Sequence, residues 1–110
     1  MQQKGNIKHS KAPWRSTFNS AKERGVRNEG GFICYLPKPH HYTGQDARYN
    51  EELRENEADQ ELIAAAPDML ELLQSIAYPT PGSDAAKWTI YDVEMKAKEL
   101  IEIIESRISK

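Results

Sequence analysis

The sequence is poor in the features that assign a protein to a chemical class. Cys34 is its only cysteine, which excludes a disulfide bond within the chain and indicates a reducing compartment. No apolar run approaches the roughly 20 residues that a transmembrane helix needs, and the N-terminus lacks the apolar centre of a secretory signal. Walker loops, zinc fingers, helix-turn-helix motifs and RNA-recognition motifs are also missing. We therefore expect a cytoplasmic protein that contacts no membrane.

The two halves of the chain carry opposite charge. Residues 1–42 contain eight Lys or Arg and two Glu, a net charge of +6. Residues 43–110 contain seven Lys or Arg and fifteen Asp or Glu, a net charge of −8. The basic half suits an anionic partner, while the acidic half maintains solubility. Attraction between the two halves, within or between protomers, explains the same distribution, and both interpretations stay open.

Short segments of the N-terminal half have the pattern of β-strands. Residues 14–18 alternate in the manner of a strand, and Gly31–Leu36 is an aromatic and β-branched run between a glycine pair and a proline. The pair that begins at Gly30 predicts a turn, so Val26 and its neighbours are expected to form a hairpin with the following strand. Cys34 lies in this run, where a buried structural thiol is the expected role.

The second half of the chain predicts helices. The polar segment of residues 45–60 predicts a mostly exposed helix, and apolar residues begin to recur at steps of three and four near Leu62. Pro67 lacks an N–H group and therefore kinks this helix or begins a new one. Thr89 and Asp92 have the spacing of a capping box at the start of a final helix. The apolar seam of that helix consists of Ile90, Val93, Ala97, Leu100, Ile101, Ile104 and Ile108.

These elements predict a small α+β fold, in which two to three short antiparallel strands of the N-terminal half pack on a C-terminal antiparallel helical hairpin. Residues 1–12 are polar and basic, so we expect a disordered arm before a single α+β domain over residues 13–110. Open strand edges and a thin core favour homo-oligomerisation through the alanine-rich helix and the final helix. The candidate interface residues are Leu62, Ala65, Ala66, Met69, Ile101 and Ile104.

Basic and aromatic residues of the N-terminal half are the candidates for ligand binding. A phosphate-bearing ligand requires positive charges that converge on one pocket. The basic cluster comprises Arg15, Lys22, Arg24, Arg27 and Lys38. Trp14 beside Arg15 is a combination typical of nucleotide and single-strand binders, although a tryptophan also serves as a core or interface anchor. The candidate binding residues are Trp14, Arg15, Arg24, Arg27, Lys38, His40 and His41.

Two adjacent histidines lie in the proline-bounded loop of residues 37–44. Imidazoles bind metals and anions and act as acid–base groups near neutral pH. Adjacent histidines rarely ligate one ion, and no cysteine, histidine or aspartate spacing nearby completes a tetrahedral site. We therefore predict no metal, no cofactor and no catalytic residue. His40 and His41 are interpreted as part of an anion-binding loop or of an ordinary surface loop.

Acidic residues of the predicted polar helix have two interpretations. Their charges imitate a phosphate backbone, as in inhibitors that occupy a DNA-binding groove, and they also suit a solvated helix face. The residues concerned are Glu51, Glu52, Glu55, Glu57, Asp59 and Glu61.

Two segments resemble motifs of small uncharacterised phage and prophage proteins. Residues 9–14, HSKAPW, resemble the opening H-[ST]-x-[GA]-P-W, and residues 58–70, ADQELIAAAPDML, resemble A-N-A-x-L-I-A-A-A-P-E-L-L. Asp59 replaces the usual Asn of that segment, and Gln60 replaces the usual Ala. The resemblance implies a small, cytoplasmic, phage-borne accessory protein. Proteins of this kind often act as inhibitors of host defence proteins or as oligomeric sponges for nucleotide signals.

We therefore expect a phage or prophage accessory protein that acts in the host cytoplasm by non-enzymatic binding, as a counter-defence inhibitor. Its expected target is a host defence protein or a nucleotide signal molecule. The alternative is a nucleic-acid-associated regulatory accessory protein that contacts DNA or RNA through the basic residues 1–42. The acidic C-terminal half argues against extensive wrapping of DNA.

Overall fold

The structure, a computed structural model, describes residues 8–108, which form three β-strands followed by three α-helices. The strands are β1 (Arg15–Phe18), β2 (Arg24–Asn28) and β3 (Gly31–Leu36), and the helices are α1 (Asp46–Ala64), α2 (Ala66–Ala77) and α3 (Ile90–Ser106). One turn of 3-10 helix (Asp84–Lys87) precedes α3. The predicted α+β class, with antiparallel strands in the N-terminal half and helices toward the C-terminus, is confirmed. Residues 1–7 of the predicted disordered arm lie outside the described residues.

The three strands form an antiparallel sheet in which each strand pairs with the next along the chain. In the β1–β2 turn, the side-chain oxygen of Asn19 accepts a hydrogen bond from the Glu23 N–H at 2.9 Å. In the β2–β3 turn, the side-chain oxygen of Asn28 accepts from the N–H groups of Gly30 and Gly31 at 2.8 and 3.1 Å. Gly31 has a φ of 147°, which glycine adopts without steric cost. The glycine pair thus forms the predicted turn.

An irregularity in the β2–β3 pairing changes which side chains of β3 share a face. Val26 lies opposite Cys34, but the next residue, Arg27, lies opposite Phe32, so β3 contains one extra residue at this point. This β-bulge inverts the alternation of the strand. Phe32 therefore shares a face with Tyr35 and not with Cys34, whose predicted buried thiol is half-buried.

Polar contacts fasten the C-terminal end of α1 to the sheet. Gln60 is 1% exposed, and its amide nitrogen donates hydrogen bonds to the carbonyl oxygens of Thr17 and Gly25 at 2.8 and 2.9 Å. The amide oxygen of the same side chain accepts from Arg24 at 2.8 Å. No residue of α1 before Gln60 is buried, which agrees with the predicted exposed helix. The helix that contacts β1 and β2 is therefore α1, and its buried anchor is a glutamine near its end.

α1 and α2 are separated at the proline that the sequence identifies as a break. α1 ends at Ala64 and α2 begins at Ala66. Pro67 lies in the first turn of α2, where its missing N–H group costs no helical hydrogen bond. Ala65, between the two helices, is fully buried. Of the two predicted effects of Pro67, a kink or the start of a new helix, the structure shows the second.

α3 begins at the predicted capping box. The Thr89 hydroxyl accepts from the Asp92 N–H at 3.2 Å, and the Asp92 carboxylate accepts from the Thr89 N–H at 3.0 Å. α2 contacts α3 and the 3-10 helix. None of the helices formed by residues 8–108 is long and apolar enough to cross a bilayer. The buried apolar side chains of this part of the chain are Val26, Ala64, Ala65, Pro67 and Ile104.

The predicted interface residues divide between the interior and the surface. Ala65 and Ile104 are buried within the protomer, with 0% and 7% exposure. Ala66 and Met69 are half-buried. Leu62 and Ile101 are the members with the largest free surface, 47% and 54% exposed.

Candidate functional site

The two faces of the sheet differ in what covers them. α1 lies against the face of Ser16 and Val26: the Ser16 hydroxyl donates to the Glu61 carboxylate at 2.7 Å, and Val26 is 0% exposed. The strand register places the intervening residues on the opposite face. We call this opposite face the open sheet face, and it is defined by Arg15, Thr17, Arg27, Phe32 and Tyr35.

Two aromatic rings of the open sheet face stack on each other. The ring centroids of Phe32 and Tyr35 are 4.8 Å apart, with 28° between the ring planes. The guanidinium carbon of Arg27 lies 5.6 Å from the centroid of Phe32. Arg27, Phe32 and Tyr35 thus form a row, which we call the arginine–aromatic row. Tyr35 is 52% exposed, and within residues 8–108 only one face of its ring has an aromatic partner, so the other face is available to a planar ligand.

Gly25 makes room for this row. A Cβ atom at this position would lie 3.3 Å from two ring atoms of Phe32 and 2.8 Å from the carbonyl oxygen of Cys34. The second distance is too short for any side chain unless the backbone of β3 shifts. Gly25 therefore permits the close approach of the Phe32 ring and of β3 to the centre of β2.

The open sheet face also carries two neighbouring positive charges. Arg15 and Arg27 are directly opposite each other on β1 and β2. The Nε–H of Arg27 donates to the carbonyl oxygen of Asn28 at 3.1 Å, and in the described part of the chain no carboxylate pairs with either guanidinium. Like charges directly opposite on a sheet are destabilising, so an anion bound between them would relieve the repulsion.

The arginine–aromatic row and the paired charges match the two halves of a nucleotide. A planar base stacks on an aromatic ring or on a guanidinium plane, and a phosphate accepts hydrogen bonds from arginine. The hydroxyl of the half-buried Thr17 adds a donor and acceptor to the same face.

Arg24 and Trp14 lie elsewhere, so the predicted binding residues do not form one cluster. Arg24 donates to Gln60 at 2.8 Å and lies 5.1 Å from the centre of the Phe18 ring, on the face that α1 covers. The indole N–H of Trp14 donates to the carbonyl oxygen of Ser10 at 3.0 Å. Trp14 borders a cavity of about 190 Å³, whose other lining residues are His9, Ala66, Pro67 and Leu70.

The loop after β3 holds the remaining candidates, and these have separate partners. Nε2 of His41 lies 2.7 Å from a carboxylate oxygen of Asp46 at the start of α1. The ring of His40 lies 4.5 Å from the ring of Tyr42, and Lys38 is exposed. Among residues 8–108, no three His, Cys, Asp or Glu side chains form a group that could hold a metal ion.

Sequence reasoning selected Arg15 and Arg27 but missed Phe32 and Tyr35. These two aromatic residues are three positions apart, and strict strand alternation places such residues on opposite faces. The sequence did contain a signal that could have identified them as binding residues. Both lie in one predicted strand, and this strand follows the basic segment with Arg24 and Arg27. Their shared face depends on the β-bulge, which no local sequence pattern marks.

Comparison with known protein families identifies a family that the chain matches. The family model described as Salmonella phage P22 protein Y8K6 matches residues 1–110. No curated protein and no solved structure matches the chain. The match extends over the whole chain and agrees with the resemblance to small phage proteins, while the two short motifs that suggested this resemblance stay a prediction.

Proposed function

Because the chain belongs to the Salmonella phage P22 protein Y8K6 family, we propose that this phage protein is a counter-defence inhibitor that acts by non-enzymatic binding in the host cytoplasm. Its target is a nucleotide signal, which it binds on the open sheet face and withholds from the host. The observation that carries the proposal is the row of Arg27, Phe32 and Tyr35 beside Arg15, whose guanidinium has no carboxylate partner within residues 8–108.

The row supports the base-binding part of the proposal. Stacking of a base on an aromatic side chain contributes about 1–3 kcal/mol, and it tolerates any base because every base has a π-face. Tyr35 offers a ring that is 52% exposed and already supported from behind by Phe32. A base on Tyr35 would extend the existing stack.

The paired arginines support the phosphate-binding part. A hydrogen bond to a charged group contributes about 1.5–3 kcal/mol. Arg15 and Arg27 are Cα partners on neighbouring strands and share the open sheet face with the stacked rings, so we expect a phosphate attached to a base on this face to accept hydrogen bonds from them. Loss of either one is expected to weaken binding about tenfold or more.

The size of the site favours a nucleotide over a host defence protein as the target. Stable protein–protein interfaces use about 20–30 residues on each side. The open sheet face rests on five residues of a short sheet, which is the scale of a small ligand.

The first test is native mass spectrometry of the protein purified from its bacterial host, followed by calorimetric titration. An adduct of nucleotide mass supports the proposal. The titration uses nucleoside monophosphates, cyclic dinucleotides and inorganic phosphate. The variants Arg15→Ala, Arg27→Ala and Tyr35→Ala are each expected to lower nucleotide affinity by about tenfold or more.

Arg48→Ala is the matched control, because it removes the same charge from an exposed position of α1 away from the site. The double variant His40→Ala/His41→Ala tests the loop after β3 and is expected to bind normally. Unchanged affinity in both Arg15→Ala and Arg27→Ala contradicts the site. If the purified protein contains no ligand and captures a host protein in a pull-down, the target is a host protein and not a nucleotide.

A nucleic-acid-associated regulatory role is the second candidate, because the same row stacks bases of a single strand equally well. The net charge of +6 over residues 1–42 supports this alternative. It requires salt-dependent binding of a DNA or RNA oligomer. A flat gel-shift titration at low salt excludes it.

A further inference from the structure

One side of α3 is apolar over its whole length but only partly covered by the protein. Ile90, Ala97, Ile101 and Ile104 recur at steps of seven, four and three, which places them on one side of the helix. We call these residues the α3 stripe. Ile104 is 7% exposed, whereas Ile90 is 89% and Ile101 is 54% exposed. The protomer therefore covers Ile104 of the α3 stripe but leaves Ile90 and Ile101 exposed to solvent.

The accessible surface of the chain is larger than that of a compact monomer. The surface is 8280 Å², while a folded monomer of 12.6 kDa has about 6,200 Å². Leaving out the nine undescribed residues at roughly 170 Å² each, the largest area a residue contributes, reduces the surface to about 6,750 Å², while a folded monomer of residues 8–108 has about 5,800 Å², so an excess of about 900 Å² stays. The Cα radius of gyration is 17.6 Å, against about 13 Å expected for this length.

This excess has the size that a dimer interface removes from each protomer. A standard protein–protein interface buries about 800 Å² per partner, and homodimer interfaces are more apolar than others. Only five apolar side chains are buried in the described part of the chain, so one protomer has a small core of its own. A second copy supplies both the missing area and apolar groups.

We propose that the α3 stripe packs against the α3 stripe of a second copy and so forms a two-fold symmetric dimer. A two-fold contact uses the same patch on both copies. With the axis near Ala97, the exposed Ile90 of each copy approaches the last turns of the other helix, where Ile101 is exposed. The small side chain of Ala97 lets the two helix backbones approach at the crossing point. This inference is independent of the ligand proposed for the open sheet face.

The test is sedimentation velocity of the full chain across a hundredfold range of concentration. The wild-type protein is expected to have the mass of two chains, and Ile101→Glu is expected to have the mass of one. The matched control is Tyr42→Glu, because Tyr42 is also 54% exposed but lies in the loop after β3. This control is expected to remain a dimer.

Ile90→Glu keeps the test decisive if Ile101→Glu fails to fold, because a residue that is 89% exposed contributes almost nothing to the core. Circular dichroism verifies that each variant is folded. A monomeric wild-type protein overturns the inference. The inference is also overturned if Ile101→Glu and Ile90→Glu are both folded and both remain dimers. It is overturned as well if only Ile103→Glu dissociates the dimer, because Ile103 lies outside the α3 stripe.

Discussion

Gln60 determines how the helical part meets the sheet. It is the one polar side chain among residues 8–108 that is almost fully buried, and all of its amide contacts are to the sheet. Its two N–H groups reach the carbonyl oxygens of Thr17 and Gly25, and its oxygen accepts from Arg24. A buried amide with these partners fixes one orientation of α1, because any rotation of the helix leaves polar groups unpaired.

The variant Gln60→Ala is expected to lower the free energy of unfolding by about 2–3 kcal/mol, since it removes three hydrogen bonds and leaves their partners without compensation. Urea denaturation measures the change. Gln45→Ala is the control, because Gln45 is an exposed glutamine before α1 and should change stability by less than about 0.5 kcal/mol. Equal effects of the two substitutions would show that the buried amide has no special role.

At the scale of the elements, β3 creates the candidate site through its bulge. The extra residue opposite β2 moves Phe32 to the face of Tyr35, and the two rings stack at 4.8 Å. Gly25 on β2 makes this arrangement possible, because the absence of a Cβ atom leaves space for the edge of the Phe32 ring. The arginine–aromatic row therefore depends on two adjacent strands and not on β3 alone.

The variant Gly25→Ala is expected to displace the Phe32 ring and to lower the free energy of unfolding by about 1–3 kcal/mol, as in other overpacked sites. Near-ultraviolet circular dichroism reports the loss of aromatic stacking, and urea denaturation reports the stability. Gly30→Ala is the control, because the nearest atom to its added Cβ is 3.4 Å away. An unchanged aromatic spectrum in folded Gly25→Ala would contradict the role of this glycine.

At the scale of the whole molecule, charged and exposed apolar residues are distributed unevenly along the chain. The basic residues and the open sheet face lie in the N-terminal half, while the acidic residues and the exposed apolar residues of α2 and α3 lie in the C-terminal half. α1 links the two parts, since it contacts the sheet at its end and continues into α2. The proposed ligand site and the proposed dimer contact therefore lie on separate surfaces, and we expect a variant of one to leave the other unchanged.

The thermal unfolding midpoint of the wild-type protein is expected to rise with protein concentration, because a dimer that dissociates on unfolding is stabilised by mass action. Differential scanning calorimetry over a hundredfold range of concentration measures this shift. The midpoint of Ile101→Glu is expected to be lower and independent of concentration. A wild-type midpoint that stays constant over the same range would speak against an obligate dimer.

The sequence by itself determined the elements whose signals are local. The Thr89–Asp92 capping box, the helix start at Pro67 and the glycine turn before β3 each rest on residues within four positions of one another. Hydrogen bonds and dihedral preferences at this distance act in any context, so these predictions hold. The α+β class follows from the order of these elements.

Only the tertiary structure decided which surfaces these elements form. The anchor of α1 joins Gln60 to Thr17 and Gly25, more than thirty residues away in sequence. The shared face of Phe32 and Tyr35 arises from the register with β2. Register and helix orientation are set by the sum of many distant contacts, and no single residue carries that information along the chain.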